Sequence, residues 1–406
     1  MKILLTVEDL RTGGAQTFVL RLAQALHVAG HSVHLYSHFA HYTNENLVRQ
    51  LAPDVPVIAF GNANLADKGL RKLDGLGRRL GIKASLRDVK LIQHLSQTIR
   101  ELRPDVVNTH TIKADYVAAK ALQGLSIPQV ITMHGCYELF LHKADAPEVT
   151  PRGNYALSQA AGVVYLTDKN LEIFEQPGVR PLNELPHKKI YNGFDGKFSV
   201  EKSEHTKEKL GIPAGAFVAG MVARGIPEKG WQHAINSFLA LSEEFDNLHL
   251  VLVGESDYLT GLQAKYPHPR LHFTGFSRNP IDWVDLFDVG LLPSYFHAES
   301  LPNSIAEYLS CGKPVIGSRI GEVPAMLKSA KGLAGVIVDQ ANWQLTDPAQ
   351  LTEALRGYLI DPARLHHHSE LAHLAFDQFR MDRCVAEYLA FYRLATKQQT
   401  DVRLVV

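Results

Sequence analysis

The chain has few cysteines: Cys136, Cys311 and Cys384 are its only three, far apart and without metal-ligand spacing. A disulfide-stapled scaffold and a cysteine-based zinc site are therefore not expected, and the natural setting is a reducing cytoplasm. An excess of one charge is missing too, with 42 basic residues against 42 acidic ones, so no global field draws the molecule to nucleic acid or membrane. No stretch approaches the roughly 20 uninterrupted apolar residues of a membrane span. The opening MKILLTVEDL breaks at Glu8 and Asp9 before reaching the length of a signal peptide, and reads as a first strand. No loop carries a convincing paired acidic motif of the DxD kind, so neither a metal nor any other cofactor is expected.

What is present is a globular composition, 46% hydrophobic and 21% charged, in a chain of 406 residues, a length suited to two α/β domains. Short β-branched runs followed by helical periodicity predict parallel sheets covered by helices. The first half has candidate strands at Ile3 to Val7, Ser32 to Tyr36, Val55 to Ala59, Asp105 to Thr109, Gln129 to Met133 and Gly162 to Leu166. After a boundary near Asn192 to Lys197 and the polar stretch KSEHTKEKLGIPAGA, the pattern restarts at Phe217 to Val222, His249 to Val253, Leu271 to Phe273, Val289 to Leu292, Pro314 to Ile316 and Gly335 to Val338. Two Rossmann-like, doubly wound domains follow, over residues 1–196 and 197–381, expected to face each other across a cleft. Functional residues should stand just after strands.

The most informative segment is YFHAESLPNSIAEYLSCGKPVIGSRIGEVPAM. Pro302 is placed for a helix's first turn and Gly312 for its end. Asn303, Glu307 and Ser310 then share one face, opposite Ile305 and Leu309. Backbone amides of Leu301, Asn303 and Ser304, with Ser300 beside them, suit a diphosphate. Glu299, just ahead, suits a sugar hydroxyl, and Glu307 could accept both hydroxyls of a ribose. Upstream, MVARGIPEKGWQHAI follows a strand, and its Arg224 and Lys229 supply a fork and a point charge for a leaving diphosphate.

These residues resemble the GT-B retaining glycosyltransferases of family 4. Glu299 and Glu307 have that family's spacing of a Glu, seven residues and a second Glu, and Gly312, Pro314 and Val315 match its tail. Leu301 and Pro302 replace the aromatic and Gly found there in the family. The phrases VAR and PEKG around Arg224 and Lys229 also match, as does KKIYNGFD, which puts Asn192, Gly193 and Asp195 in a turn near the hinge. The resemblance covers nearly the whole chain and is strongest from Gly220 to Met326. It implies transfer of a sugar with retention, and a terminal helix, about 382–406, crossing back onto the first domain. Gly275 and Phe276, which follow the strand from Leu271, complete the expected donor set.

On the acceptor side, Gly13 and Gly14 precede an amphipathic helix and let backbone approach a ligand. Two histidines end strands, His110 in DVVNTHT and His134 in VITMHG. The resemblance gives His134 a contact to the donor sugar or the incoming hydroxyl, with His110 as its neighbour. The catalytic set so implied is His134, Arg224, Lys229 and Glu299.

The resemblance implies a nucleotide diphosphate sugar as donor, a uridine diphosphate sugar before guanosine diphosphate mannose. It also implies a glycan or lipid-linked acceptor, in bacterial surface polysaccharide or lipopolysaccharide synthesis. Residues 68–90, with Lys68, Arg71, Lys72, Arg78, Arg79, Lys83, Arg87 and Lys90 among interleaved leucines, suit an anionic membrane surface or an anionic acceptor, or else a solvated basic helix or mobile loop. The fold leaves open a sugar-nucleotide epimerase and a non-catalytic two-lobed sugar-binding protein. A phosphorylase would be much longer and needs a pyridoxal-binding lysine.

Overall fold

The computed structural model describes residues 1–61, 85–135, 146–195, 207–277, 279–297, 299–342 and 344–404. Lys68 to Lys83 of the basic segment, and Cys136, lie outside them. The chain forms two compact units, Met1–Gly193 with Met381–Val406, and Phe194–Arg380.

In the first unit, β1 (Lys2–Val7), β2 (Ser32–Ser37), β3 (Val57–Ala59), β4 (Val106–His110), β5 (Gln129–Met133), β6 (Gly162–Tyr165) and β7 (His187–Lys189) form one sheet in the order β3-β2-β1-β4-β5-β6-β7. Every pairing is parallel. β1 reads KILLTV because a parallel strand covered on both faces needs an almost continuous apolar run. Helices α1 (Gly14–Val28), α2 (Glu45–Leu51), α3 (Leu86–Leu102), α4 (Ile112–Ala121) and α5 (Ala146–Gln159) connect the strands. The side chain of Ser85 caps α3 by accepting from Asp88 N at 3.1 Å, so Arg87 and Lys90 begin a helix rather than continue a basic loop.

The second unit repeats the plan with β8 (Phe217–Val222), β9 (Leu248–Val253), β10 (Leu271–Gly275), β11 (Val289–Leu292), β12 (Val315–Ser318) and β13 (Gly335–Val338), in the order β10-β9-β8-β11-β12-β13. Its main helices are α6 (Trp231–Ser242), α7 (Asp257–Lys265), α8 (Asn303–Ser310), α9 (Ala349–Ile360) and α10 (Pro362–Phe376). In both sheets the strand order reverses beside the first strand, between β1 and β4 and between β8 and β11. In open α/β sheets that reversal opens a crevice at the strands' carboxyl ends.

The chain ends in α11 (Met381–Leu404), which returns to the first unit and joins its core through Tyr388, Phe391 and Tyr392 against α1 residues such as Phe18 and Leu22. A β-carbon at Gly193 would stand 2.7 Å from Met381 Sδ, so glycine is what lets this junction close. No helix among the described residues is long and apolar enough to cross a membrane.

Several boundaries differ from the sequence expectation. β7 is missing from it because HKK shows no apolar alternation. Pro302 is the N-cap residue of α8 rather than a residue of its first turn, with φ −68° and ψ 118°. Gly14 is the first residue of α1, and only Gly13 precedes the helix, in extended conformation.

Candidate functional site

In the second unit the loops after β8 and β11 meet at the reversal point. Gly230, with φ +87°, ends the first loop, and a β-carbon there would lie 2.1 Å from Pro293 O. Only glycine tolerates both that conformation and that approach. The contact brings Lys229 under the second loop, where its Nζ donates to Glu299 Oε2 at 2.6 Å. Ser294 Oγ donates to the same oxygen at 2.7 Å. Both ion-pair members are buried, at 7% and 8% exposure, which makes the pair a fixed part of the site rather than a surface contact. Burial pulls the Lys229 ammonium below its ordinary pKa; Glu299 opposes that shift and nearby Arg224 adds to it. Glu299 Oε1 accepts no hydrogen bond from the described residues, and Lys229 keeps donor capacity beyond its one bond.

Arg224 is exposed, and its guanidinium carbon lies 5.2 Å from the centre of the Phe296 ring. Lys229 Nζ lies 5.2 Å from the same centre. One aromatic ring thus brings together two cations, one buried and one open to solvent. The Arg224 carbonyl is held by Trp231 Nε1 at 3.1 Å.

The two glutamates flank the start of α8. Ile305, Ala306, Tyr308 and Leu309 face the core, while Asn303 is exposed and Ser304, Glu307 and Ser310 are half-buried, as the helical spacing predicts. Tyr308 ties the helix to the sheet, accepting from Val222 N at 2.7 Å, two residues before Arg224. At the other end Gly312, with φ +66°, lets Lys313 N reach Tyr308 O at 2.9 Å and Gly312 N reach Leu309 O at 3.0 Å, a Schellman closure. Beside Leu301, Ser300 Oγ is enclosed and has no partner among the described residues. Glu322 N donates to Ser300 O at 2.9 Å, and Gly321 is glycine because a β-carbon would sit 2.5 Å from Glu299 O. Gly275, with φ +77°, and Phe276, 66% exposed, lie at the end of β10, two strands away from β8.

In the first unit, His110 ends β4 and His134 directly follows β5, the neighbouring strand. Their rings meet, His110 Nδ1 to His134 Nε2, at 2.8 Å. Phe18 of α1 presents its edge or face to both, with ring centres at 6.2 and 5.5 Å. Burial lowers the pKa of His134 to about 4 and that of His110 well below the ordinary value, so both rings are neutral near pH 7. Asn170 Nδ2 holds Gly135 O at 2.8 Å, while its Oδ1 accepts from Leu166 N and Thr167 N at 3.0 Å each. Near Gly13, Asp9 accepts from the Arg11 guanidinium and from Gln16 Nε2, so the loop ahead of α1 is tied down by its own side chains.

Among the described residues no group of three or more His, Cys, Asp or Glu side chains is placed to hold a metal ion. Residues 12–195 match Glycosyltransferase Family 4, and residues 202–371 match Glycosyl transferases group 1. The chain belongs to the family 4, group 1 glycosyltransferases.

This glycosyltransferase is 25% identical to the 2-deoxystreptamine glucosyltransferase of Streptomyces kanamyceticus, over 79% of this chain and 90% of that one. It is also 25% identical to the UDP-Gal:alpha-D-GlcNAc-diphosphoundecaprenol alpha-1,3-galactosyltransferase of Escherichia coli, over 60% of this chain and 65% of that one. Its fold matches the crystal structure of Anabaena HepE in complex with UDP and glucose, with a TM-score of 0.71 and 23% identity, covering 96% of this chain and 99% of that one. The fold is GT-B.

The structure of the glycosyltransferase adds residues that the sequence did not single out. Ser294 and Phe296 lie in an irregular loop with no periodicity to mark them, and Asn170 acts through a backbone carbonyl 35 residues away.

Proposed function

We propose that the enzyme moves a hexose, with retention of configuration and without a metal, from a UDP-sugar to a hydroxyl of a glycan or lipid-linked acceptor in bacterial surface polysaccharide or lipopolysaccharide synthesis. The observation that carries this reading is the buried Lys229–Glu299 pair with Arg224 close to it on Phe296. Arg224 and the remaining donors of Lys229 neutralise the diphosphate as it departs. Amides at the start of α8, those of Ser300, Leu301, Asn303 and Ser304, with the side chains of Asn303 and Ser304, bind the same phosphates. Glu299 Oε1 accepts from a hydroxyl of the sugar, and Glu307 accepts from the ribose.

The transition state resembles an oxocarbenium ion: positive charge grows on the sugar while an equal negative charge grows on the departing diphosphate, which these cations stabilise and one of whose oxygens takes the acceptor proton. His134 contacts the sugar or the incoming hydroxyl, with His110, Gly13 and Gly14 as the remaining acceptor-side residues. The UDP donor is supported by the UDP held by HepE and by the UDP-Gal in the name of the E. coli relative. The same relative's diphosphoundecaprenol acceptor supports a lipid-linked one.

The test is a thermal-shift and turnover panel of nucleotide sugars in the presence of EDTA. Stabilisation by UDP-sugars ahead of GDP-mannose, and transfer only with acceptor present, is the expected result. Interconversion of the donor without acceptor would indicate an epimerase, tight binding without any product a sugar-binding protein, and loss of transfer in EDTA a metal-dependent enzyme.

A further inference from the structure

We propose that His110 is a positioning residue that fixes His134 in the tautomer protonated on Nδ1, so that His134 meets substrate as a neutral hydrogen-bond donor and not as a base. This rests on the reading above that His134 lies in the substrate site. The 2.8 Å contact between His110 Nδ1 and His134 Nε2 has room for one proton. Which ring supplies it follows from the other nitrogen of His110. His110 is fully buried, and its Nε2 is enclosed with no partner among the described residues. If His134 donated, His110 would carry its own proton on Nε2, an orphaned buried N–H of a kind that folded proteins almost never keep. If His110 donates from Nδ1, its Nε2 is a bare lone pair, the lesser penalty. His134 must then hold its proton on Nδ1, because Nε2 is accepting.

The surroundings keep the two rings in this relation. They lie 5.1 Å apart between centres and 29° apart in plane, with Phe18 against both. The backbone just past His110 is constrained: Thr111 has φ +112°, a value that a β-branched residue adopts only when its surroundings impose it. Asp115 N closes the first turn of α4 onto Thr111 O at 2.9 Å, and Asp115 also accepts from Thr109 Oγ1 on the other side of His110. Both rings being neutral near pH 7, one shared proton is the full complement of that contact. With Nδ1 protonated and the Nε2 lone pair occupied, His134 has nothing left with which to take a proton from an acceptor hydroxyl. It is suited to donating to a sugar or phosphate oxygen.

Long-range 1H–15N spectra of the histidine side chains in the intact protein near pH 7.5, assigned with His134→Gln and His110→Asn, read the tautomer directly. The expected result is a protonated Nδ1 and a bare Nε2 on His134, a preference lost in His110→Ala. A proton on Nε2 of His134 in the unaltered protein overturns the proposal, whether or not His110→Ala folds. In turnover, His110→Ala should lower kcat roughly ten- to a hundred-fold, the range seen when the outer partner of a metal-bound histidine is removed, with little change in KM. His110→Asn, which keeps an N–H near the place of Nδ1, should restore most of it. A folded His110→Ala enzyme with unchanged kcat also overturns the proposal. If His134→Ala itself turns over normally, the substrate-site reading fails instead, and the spectrum decides the tautomer separately.

Discussion

Lys229 and Glu299 are 70 residues apart in sequence, yet form a buried ion pair of 2.6 Å that joins the two loops at the reversal point of the second sheet. Whatever it does for a substrate, the pair is structural. Removing one partner of a buried pair strands the other charge, at about 3–5 kcal/mol, whereas replacing both leaves no charge behind. Lys229→Met and Glu299→Gln should each lower the urea midpoint strongly, and the double variant should be more stable than the sum of the two predicts. Additive losses across this cycle would show that the pair contributes little. Turnover should be lost in all three.

The sequence made the fold legible wherever a strand was a continuous apolar run. Gln129–Met133, Phe217–Val222, Val289–Leu292 and Gly335–Val338 have the bounds their residues suggest. Arg224, Lys229 and Glu299 could be named because each follows such a strand. Their contact through Phe296 and Ser294 could not, since it depends on β8 and β11 being neighbours, a fact of sheet order rather than of local pattern. That His110 neighbours His134 was implied by the resemblance, but their ring-to-ring hydrogen bond was not, since it needs β4 and β5 adjacent and in the register that pairs His110 with Thr132.

Gly230 should be intolerant of a side chain. Alanine there must adopt φ +87° and place a β-carbon against Pro293 O, so Gly230→Ala should cost about 2 kcal/mol or more and displace Lys229. Calorimetry and turnover, measured together, check this; a variant unchanged in both would mean that the loop contact is loose.

Acid should weaken the protein before its carboxylates titrate. Burial lowers the pKa of His134 and His249 to about 4 and that of His38 to about 3. Each therefore stays neutral in the folded chain while its unfolded counterpart, with pKa about 6.5, takes up a proton. Stability should be flat above about pH 7 and fall as pH drops from about 6.5 towards 4, because the unfolded state binds more protons in that window. Denaturation midpoints at pH 7.5, 6 and 5 measure it, and His38→Gln should flatten the slope. A constant midpoint across that range would contradict the neutral, buried state of these rings.

The terminal helix braces the strand that carries His110. Tyr392 OH donates to Asn108 Oδ1 at 2.8 Å, two residues before His110, and both residues are fully buried. Tyr392→Phe leaves that oxygen without a donor and should cost about 1–3 kcal/mol. Chemical denaturation reads the loss; a midpoint equal to that of the unaltered protein would mean that water replaces the hydroxyl.

If cations after β8 stabilise a departing nucleoside diphosphate, Arg224 reveals it most cleanly, because it is exposed and outside the buried pair. Single-turnover transfer from a UDP-sugar by Arg224→Ala should fall by a factor on the order of 10²–10³, as for the loss of one preorganised transition-state donor. Its thermal midpoint should stay within the small range of surface substitutions. Transfer by Arg224→Ala at a rate near that of the unaltered enzyme would contradict the account.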